Sequence, residues 1–308
     1  MSKYILKTKD LCKKYKNVYA VDNINMNIKR GDIYGFIGEN GAGKTTTIRL
    51  ITGLIHKTKG EVELFGKSNA CESKINKNRK RIGSLIERPV FYDDMTAYEN
   101  LEACRIQKGI PGKKCVDETL EMLGLYSDRN RKVKNFSLGM KQKVGIAMAI
   151  LGDPEFLILD EPINGLDPLG IVKLRNFFKK LNKEKGMTIL ISSHILEELH
   201  LLATSYGIIH KGKLIEEITA EELDKKCRRS LNIKVDNVKK ASVLLEKELN
   251  TNNFKVMEDE RIKLYDFVDN PKLVSSIFSK SGIIIEEITA KGDSLEDYFM
   301  NLIGGANS

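Results

Sequence analysis

The segment Gly38-Glu39-Asn40-Gly41-Ala42-Gly43-Lys44-Thr45 brings together three glycines, a lysine and a hydroxyl at spacings suited to holding a polyphosphate. It fits the pattern G-x-x-x-x-G-K-S/T. Gly38, Gly41 and Gly43 permit backbone conformations that side chains forbid, so successive N–H groups can converge on an anion. Lys44 is spaced to reach β- and γ-phosphates and the Thr45 hydroxyl to ligate Mg²⁺, with Thr46 opening the helix beside them. A second group of the same chemistry is Leu157-Ile158-Leu159-Asp160-Glu161-Pro162, an apolar run ending in two carboxylates. Asp160 is suited to hold a hydrated Mg²⁺ and Glu161 to polarise a water against the γ-phosphate. The bland alternative, a strand that merely ends in an acidic turn, is disfavoured by the company of the phosphate loop.

These residues need a strand before each site and a helix after the loop, and the hydropathy pattern provides them. Ile33 to Ile37 is apolar and precedes the loop, while Thr46-Thr47-Ile48-Arg49-Leu50-Ile51 reads as the helix whose positive dipole end faces the phosphates. Further strands are expected at Tyr4 to Leu11, Gly60 to Phe65, Ile82 to Ile86, Phe156 to Leu159, Thr188 to Ser192 and Tyr206 to His210. Two of them, Phe156 to Leu159 and Ile189 to Ile191, are continuously apolar, as in a parallel sheet covered on both faces. Between Arg88 and Asn135 only helices are expected, an insertion of about residues 88–152 into an α/β core once the helix ending at Leu151 is included. A boundary falls near residue 220. Beyond it the order strand (Leu231 to Val235), helix (Val238 to Leu249), two strands (Phe254 to Met257, Arg261 to Phe267), helix (Pro271 to Ser279) and strand (Ile283 to Ile288) gives a small α+β, ferredoxin-like unit over 221–308. A closing helix from Ser294 to Ile303, capped at Asp293 or Ser294, completes it.

The chain has 308 residues, 41% hydrophobic and 30% charged, which is a folded rather than a disordered profile. No apolar run approaches the roughly 20 residues that span a bilayer, and no signal-peptide pattern opens the sequence. Any substrate crossing a membrane is therefore expected to need a separate subunit. Five cysteines without a C-x-x-C pair read as thiols in a reducing compartment, and no His or Cys cluster has metal-ligand spacing. The formal charge of +9 is spread in short groups such as Lys77-Asn78-Arg79-Lys80-Arg81 without interleaved aromatics. That distribution reads as a solvated face, with no nucleic acid expected and attraction to membrane lipid the weaker reading.

Asn135-Phe136-Ser137-Leu138-Gly139-Met140-Lys141-Gln142 opens an apolar helix shortly before the acidic strand end. At this point the chain resembles the ATP-binding-cassette (ABC) ATPases, whose signature Leu-Ser-Gly-Gly-Gln precedes such a helix. The resemblance implies a P-loop NTPase fold of ABC type with a helical subdomain, residues 1–220 forming the ATPase domain. It also implies that Ser137 and Gly139 bind the γ-phosphate of an ATP held by a second copy. Phe136, Leu138 and Met140 depart from that signature, while Ser137 and Gly139 keep it. By the same resemblance Tyr15 stacks on adenine, Asp167 of Asn164-Gly165-Leu166-Asp167 crosses the dimer interface, and His194 hydrogen-bonds the γ-phosphate. Glu161, His194 and Lys44 are then the catalytic set. By the resemblance Glu87 stands where the family usually has Gln, between Mg²⁺ and the helical insertion, sensing nucleotide and relaying it to the transport subunit; as a carboxylate it can still ligate Mg²⁺, but it adds a charge and loses an amide donor.

The runs Gly83 to Glu87, Pro89 to Tyr92 and Thr96 to Leu101 resemble the ATPases of bacitracin-resistance and lantibiotic-immunity transporters. The resemblance implies a homodimer of ATPase subunits that hydrolyses ATP with Mg²⁺, seated on the cytoplasmic face of the membrane through an integral permease. The main rival is a soluble cassette ATPase acting on nucleic acid or ribosomes. Members of that kind usually carry two cassettes or long coiled-coil insertions, and neither is present. A metabolite kinase with a phosphate loop leaves Ser137, Asp167 and His194 without a task.

Overall fold

The computed structural model describes residues 2–68, 72–227, 229–257, 261–291 and 295–305. The chain opens with β1 (Tyr4–Tyr15), β2 (Val18–Ile24) and β3 (Asn27–Lys29), which lead into β4 (Ile33–Ile37), the phosphate loop and α1 (Lys44–Thr52). Then come β5 (Lys59–Leu64), β6 (Lys67–Ser68), α2 (Glu72–Arg79) and β7 (Ile82–Leu85). A helical stretch supplies α3 (Ala97–Lys108), α4 (Lys114–Met122) and α5 (Leu138–Ile150). It is followed by β8 (Phe156–Asp160), α6 (Pro168–Lys185), β9 (Thr188–Ser193), α7 (Leu196–His200), β10 (Ser205–His210) and β11 (Lys213–Thr219). The remainder is α8 (Ala220–Lys226), β12 (Ser230–Val235), α9 (Val238–Glu248), β13 (Phe254–Val256), β14 (Arg261–Leu264), α10 (Pro271–Lys280), β15 (Ile285–Lys291) and α11 (Leu295–Gly305). The backbone divides into two compact units, residues 1–220 and 221–308.

In the first unit β4, β8 and β9 are buried at every position. They occupy the middle of a six-stranded sheet of order β11-β10-β4-β9-β8-β7, parallel except for the β10–β11 hairpin. Runs such as Phe156-Leu157-Ile158-Leu159 have no polar face to show to water, so only a strand covered on both sides satisfies them. Because the strands are parallel, β4, β8 and β9 end at the same edge, and the phosphate loop, Glu161 and His194 lie immediately beyond those ends. Ligands of open parallel sheets bind at this edge.

The second sheet is antiparallel, with β1 pairing β2, β3 and β5, and β6 closing the far side. Apolar residues of both sheets and of α1 form one core that includes Leu6, Met26, Phe36, Ile48, Ile51 and Leu190. α1 is thereby held on two sides, and burial at roughly 25 cal/mol per Å² of apolar surface favours that seat. An exposed carboxylate at the sheet edge ties the two sheets together. Glu217 of β11 accepts from the Tyr34 hydroxyl at 2.8 Å and from the Asn27 N–H at 2.8 Å. Burial, reinforced by Glu217, pushes the Tyr34 phenol well above its ordinary range.

Between residues 88 and 135 the regular elements are helices, joined by an isolated bridge from Thr96 to Lys132. Thr96 and Glu99 form a reciprocal capping box that fixes the start of α3. Strand β1 runs on past Leu11 to Tyr15, and β2, β3 and β11 are strands that the hydropathy pattern does not announce. Their residues alternate irregularly, and β1 carries register shifts against β2, β3 and β5. The pairing that stabilises them lies elsewhere in the sequence.

In the second unit the strand order is β13-β14-β12-β15, with each neighbouring pair antiparallel. Ala241, Leu245, Val274 and Phe278 of α9 and α10 pack on Leu231, Ile233, Ile262 and Leu264. The expected cap at Asp293 or Ser294 lies outside the described residues. Among the described residues no helix is long and apolar enough to cross a membrane.

Candidate functional site

The phosphate loop is shaped by what surrounds it. A Cβ on Gly38 would lie 2.5 Å from the Ile209 carbonyl oxygen, and one on Gly43 would lie 2.5 Å from that of Ala20. Gly43 also has φ +110°, a conformation that L side chains rarely adopt. Gly43 caps α1 without a side-chain bond, and the first turn of α1 holds no acidic residue. The positive end of the helix therefore faces the loop uncompensated by its own turn. Glu39, Asn40 and Gly41 are exposed, Ala42 and Lys44 are buried, and Thr45 and Thr46 are half-buried.

Lys44 folds back over the loop. Its Nζ donates to the carbonyls of Gly38 (2.6 Å) and Glu39 (3.2 Å) and stands 3.3 Å from Oε1 of Glu161. The other carboxylate oxygen of Glu161, Oε2, lies 3.0 Å from Nδ1 of His194. Lys44, Glu161 and His194, separate in sequence, thus form one linked group. Glu161 itself sits at φ +52°, and its N–H lies 3.1 Å from the Ser192 hydroxyl oxygen and 3.2 Å from the Ser192 carbonyl oxygen. A non-glycine residue in that region is uncommon and costs about 1–3 kcal/mol, which the surrounding bonds offset. Backbone strain at this position aims the carboxylate off the sheet edge and toward the loop.

Asp160 is almost fully buried at the end of β8. Its carboxylate accepts from the Thr45 hydroxyl at 2.7 Å and from the Ser192 hydroxyl. Ser192 is a site residue that the sequence reading passed over. The signal was present, since a hydroxyl closing an apolar strand two residues before His194 has nowhere else to point. Thr45 and Asp160 present hard oxygen donors in contact, the set that a hydrated Mg²⁺ prefers. Glu87 is not joined to that pair by a hydrogen bond. It lies at φ +58°, exposed, and its Oε1 accepts from Arg49 of α1 at 2.8 Å.

The remaining candidates form a second locus. Ser137 caps α5, its hydroxyl accepting from the Met140 N–H at 3.3 Å. Gly139 and Gly165 let this turn pack against the Asn164–Asp167 segment. A Cβ on Gly139 would meet Leu166 at 3.3 Å, and one on Gly165 would meet Leu138 at 2.5 Å. Gln142 ties the two segments further by donating to the Pro162 carbonyl at 2.9 Å. Asp167 precedes α6 without capping it, and the missing side chain of Gly170 makes room for its carboxylate. Ser137, Gly139 and Asp167 also line a cavity of about 660 Å³ with Lys143, Lys173 and Phe177. Among the described residues no hydrogen bond or ion pair joins Ser137 or Asp167 to residues 38–46. Tyr15 stands at the end of β1, exposed, with Lys13 Nζ 4.9 Å from its ring centroid.

A helix N-terminus, a buried lysine and a carboxylate that can accept a proton from water make an arrangement for hydrolysing a phosphoanhydride. Comparison with known proteins agrees. The ABC transporter family matches residues 21–164. The bacitracin transport ATP-binding protein BcrA of Bacillus licheniformis is 47% identical over 305 residues, covering 98% of this chain and 98% of its own. The lantibiotic transport ATP-binding protein SrtF of Streptococcus pyogenes is 42% identical over 213 residues, 69% of this chain and 90% of its own. Among solved structures, a dimeric post-hydrolysis ATP-binding cassette bound to ADP and Pi superimposes with a TM-score of 0.64 at 28% identity, over 70% of this chain and 98% of that one. With a loop, a strand-end carboxylate pair and a signature turn in these places, and relatives matched along nearly the whole length, the chain belongs to the ATP-binding subunits of ABC transporters.

Proposed function

We propose that this chain is one of two identical ATPase subunits that drive export of, or immunity to, a peptide antibiotic of the bacitracin or lantibiotic kind. It works from the cytoplasmic face of a membrane, docked on a separate integral permease. The observation that carries the substrate class is the length of the bacitracin-transporter match, 98% of both chains, against 69% of this chain for the lantibiotic transporter. The shared length includes the region beyond residue 220, which we read as a ferredoxin-like accessory domain.

In this reading the loop N–H groups of residues 38–46 and the Lys44 ammonium bind the β- and γ-phosphates, exchanging the Gly38 and Glu39 carbonyls and Glu161 for phosphate oxygens. Tyr15 stacks on the adenine. Thr45 and Asp160 would hold Mg²⁺, whose charge would offset that of the phosphates, and Glu87 would be a further oxygen ligand. Glu161 takes the proton of the attacking water, and His194 holds that carboxylate in place through Oε2 while its other ring nitrogen remains for the γ-phosphate. Ser137, Gly139 and the start of α5 meet the γ-phosphate held by the other copy, with Asp167 across the interface.

Glu161→Gln tests the catalytic assignment. Turnover should fall by about 10²–10⁴-fold while ATP binding is retained; undiminished phosphate release in that variant would sink it. Growth of cells carrying the chain with its membrane subunit, challenged with bacitracin and with lantibiotics, tests the substrate class.

A further inference from the structure

His210 closes β10 directly behind the phosphate loop, and nothing in the reaction above gives it a task. The residue is 7% exposed, and neither ring nitrogen makes a hydrogen bond among the described residues. Buried polar atoms without partners are costly and rare. The turn that His210 enters is the floor on which the loop rests. Gly212 donates to the Ala42 carbonyl at 2.8 Å, and the Ile209 carbonyl oxygen fills the space where Gly38 lacks a side chain.

The charged groups around the imidazole are few. Glu39 approaches from the phosphate loop, its Oε2 3.5 Å from Nδ1 of His210. Lys213, the backbone partner of His210, comes from β11, and Asp22 from β2; Lys211 follows His210 in the turn. Lys213 and Asp22 stand 3.7 Å apart and answer each other. That leaves Glu39 as the carboxylate at ion-pairing distance.

We propose that His210 is a positioning residue for ATP binding that acts through Glu39, anchoring the phosphate loop when the imidazole is protonated. A protonated His210 turns the 3.5 Å approach into an ion pair, and it offsets the Glu39 charge that otherwise repels the phosphates. Because the protonated form offsets Glu39, ATP binding draws a proton onto the pair, and affinity rises as pH falls. Protonation of ATP itself also changes affinity with pH, but it does so equally for every variant and cancels in the comparison.

The test measures the affinity of the full chain for a non-hydrolysable Mg²⁺–ATP analogue at about pH 8 and about pH 6. The proteins are the parent chain, His210→Gln and Glu39→Gln. The parent should gain about fivefold more affinity over that interval than either variant, the lower end of site-to-site coupling. Parallel pH responses of the parent and His210→Gln would overturn the proposal, as would a full parental response in Glu39→Gln. If His210→Gln does not fold, the parent against Glu39→Gln decides alone: a flattened response supports the pair and a parallel one refutes it. The inference rests on ATP being the ligand of the loop. A parent that binds no analogue at either pH contradicts that reading, whereas parallel slopes contradict only the role of His210.

Discussion

Two helices of the first unit begin at places that can receive an anion, and they are furnished very differently. α1 starts at a glycine cap and is surrounded by its own chain's cation, hydroxyl and carboxylates: Lys44, Thr45, Asp160 and Glu161. α5 starts at Ser137 with no acidic residue in its first turn, but the loop's lysine and carboxylates make no bond with it. Both use the same physics, unsatisfied N–H groups and an aligned dipole. In the proposed function the first binds and processes a phosphate with groups of its own chain. The second is there to meet a phosphate held by the other copy, which is why that proposal needs two copies.

Variants at the two helix starts should therefore separate. Lys44→Ala removes a charged donor and should weaken ATP binding by roughly 10- to 150-fold, the equivalent of about 1.5–3 kcal/mol, read by titration with an ATP analogue. Gly43→Val forces a side chain into the Ala20 carbonyl at a positive φ. It should cost about 1–3 kcal/mol in unfolding stability and reduce binding with it, measured by denaturant titration. Ser137→Ala should lower turnover by about tenfold while leaving the affinity of a single copy for ATP unaltered, at a cost of about 1 kcal/mol for the lost cap. Equal effects of Lys44→Ala and Ser137→Ala on binding would break the comparison. Glu87→Gln loses an exposed pair with Arg49, and stability should change by less than about 1 kcal/mol. Any larger effect on transport-coupled turnover than on stability would favour the relay role of that residue.

The comparison also explains what the sequence made legible. The phosphate loop and the Asp160–Glu161 strand end could be read because their chemistry is local: glycines, lysine and carboxylates at fixed spacing beside runs that only a buried strand satisfies. β2, β3 and β11 could not, since mixed polar strands owe their existence to partners far along the chain. Arg49 gave no sign that it would hold Glu87, because that pair joins α1 to the segment after β7. His210 is silent in the sequence for a similar reason. Nothing around it in the sequence marks a site, and its meaning comes from β10 being buried between β4 and β11 with Glu39 overhead.

The central claim is that one complete ATP site takes its two halves from two copies of the chain. The mass in solution of the Glu161→Gln variant, measured by light scattering with and without saturating ATP and Mg²⁺, tests it directly. The account predicts one copy without nucleotide and two with it. A single-copy mass at saturating, demonstrably bound ATP would contradict it.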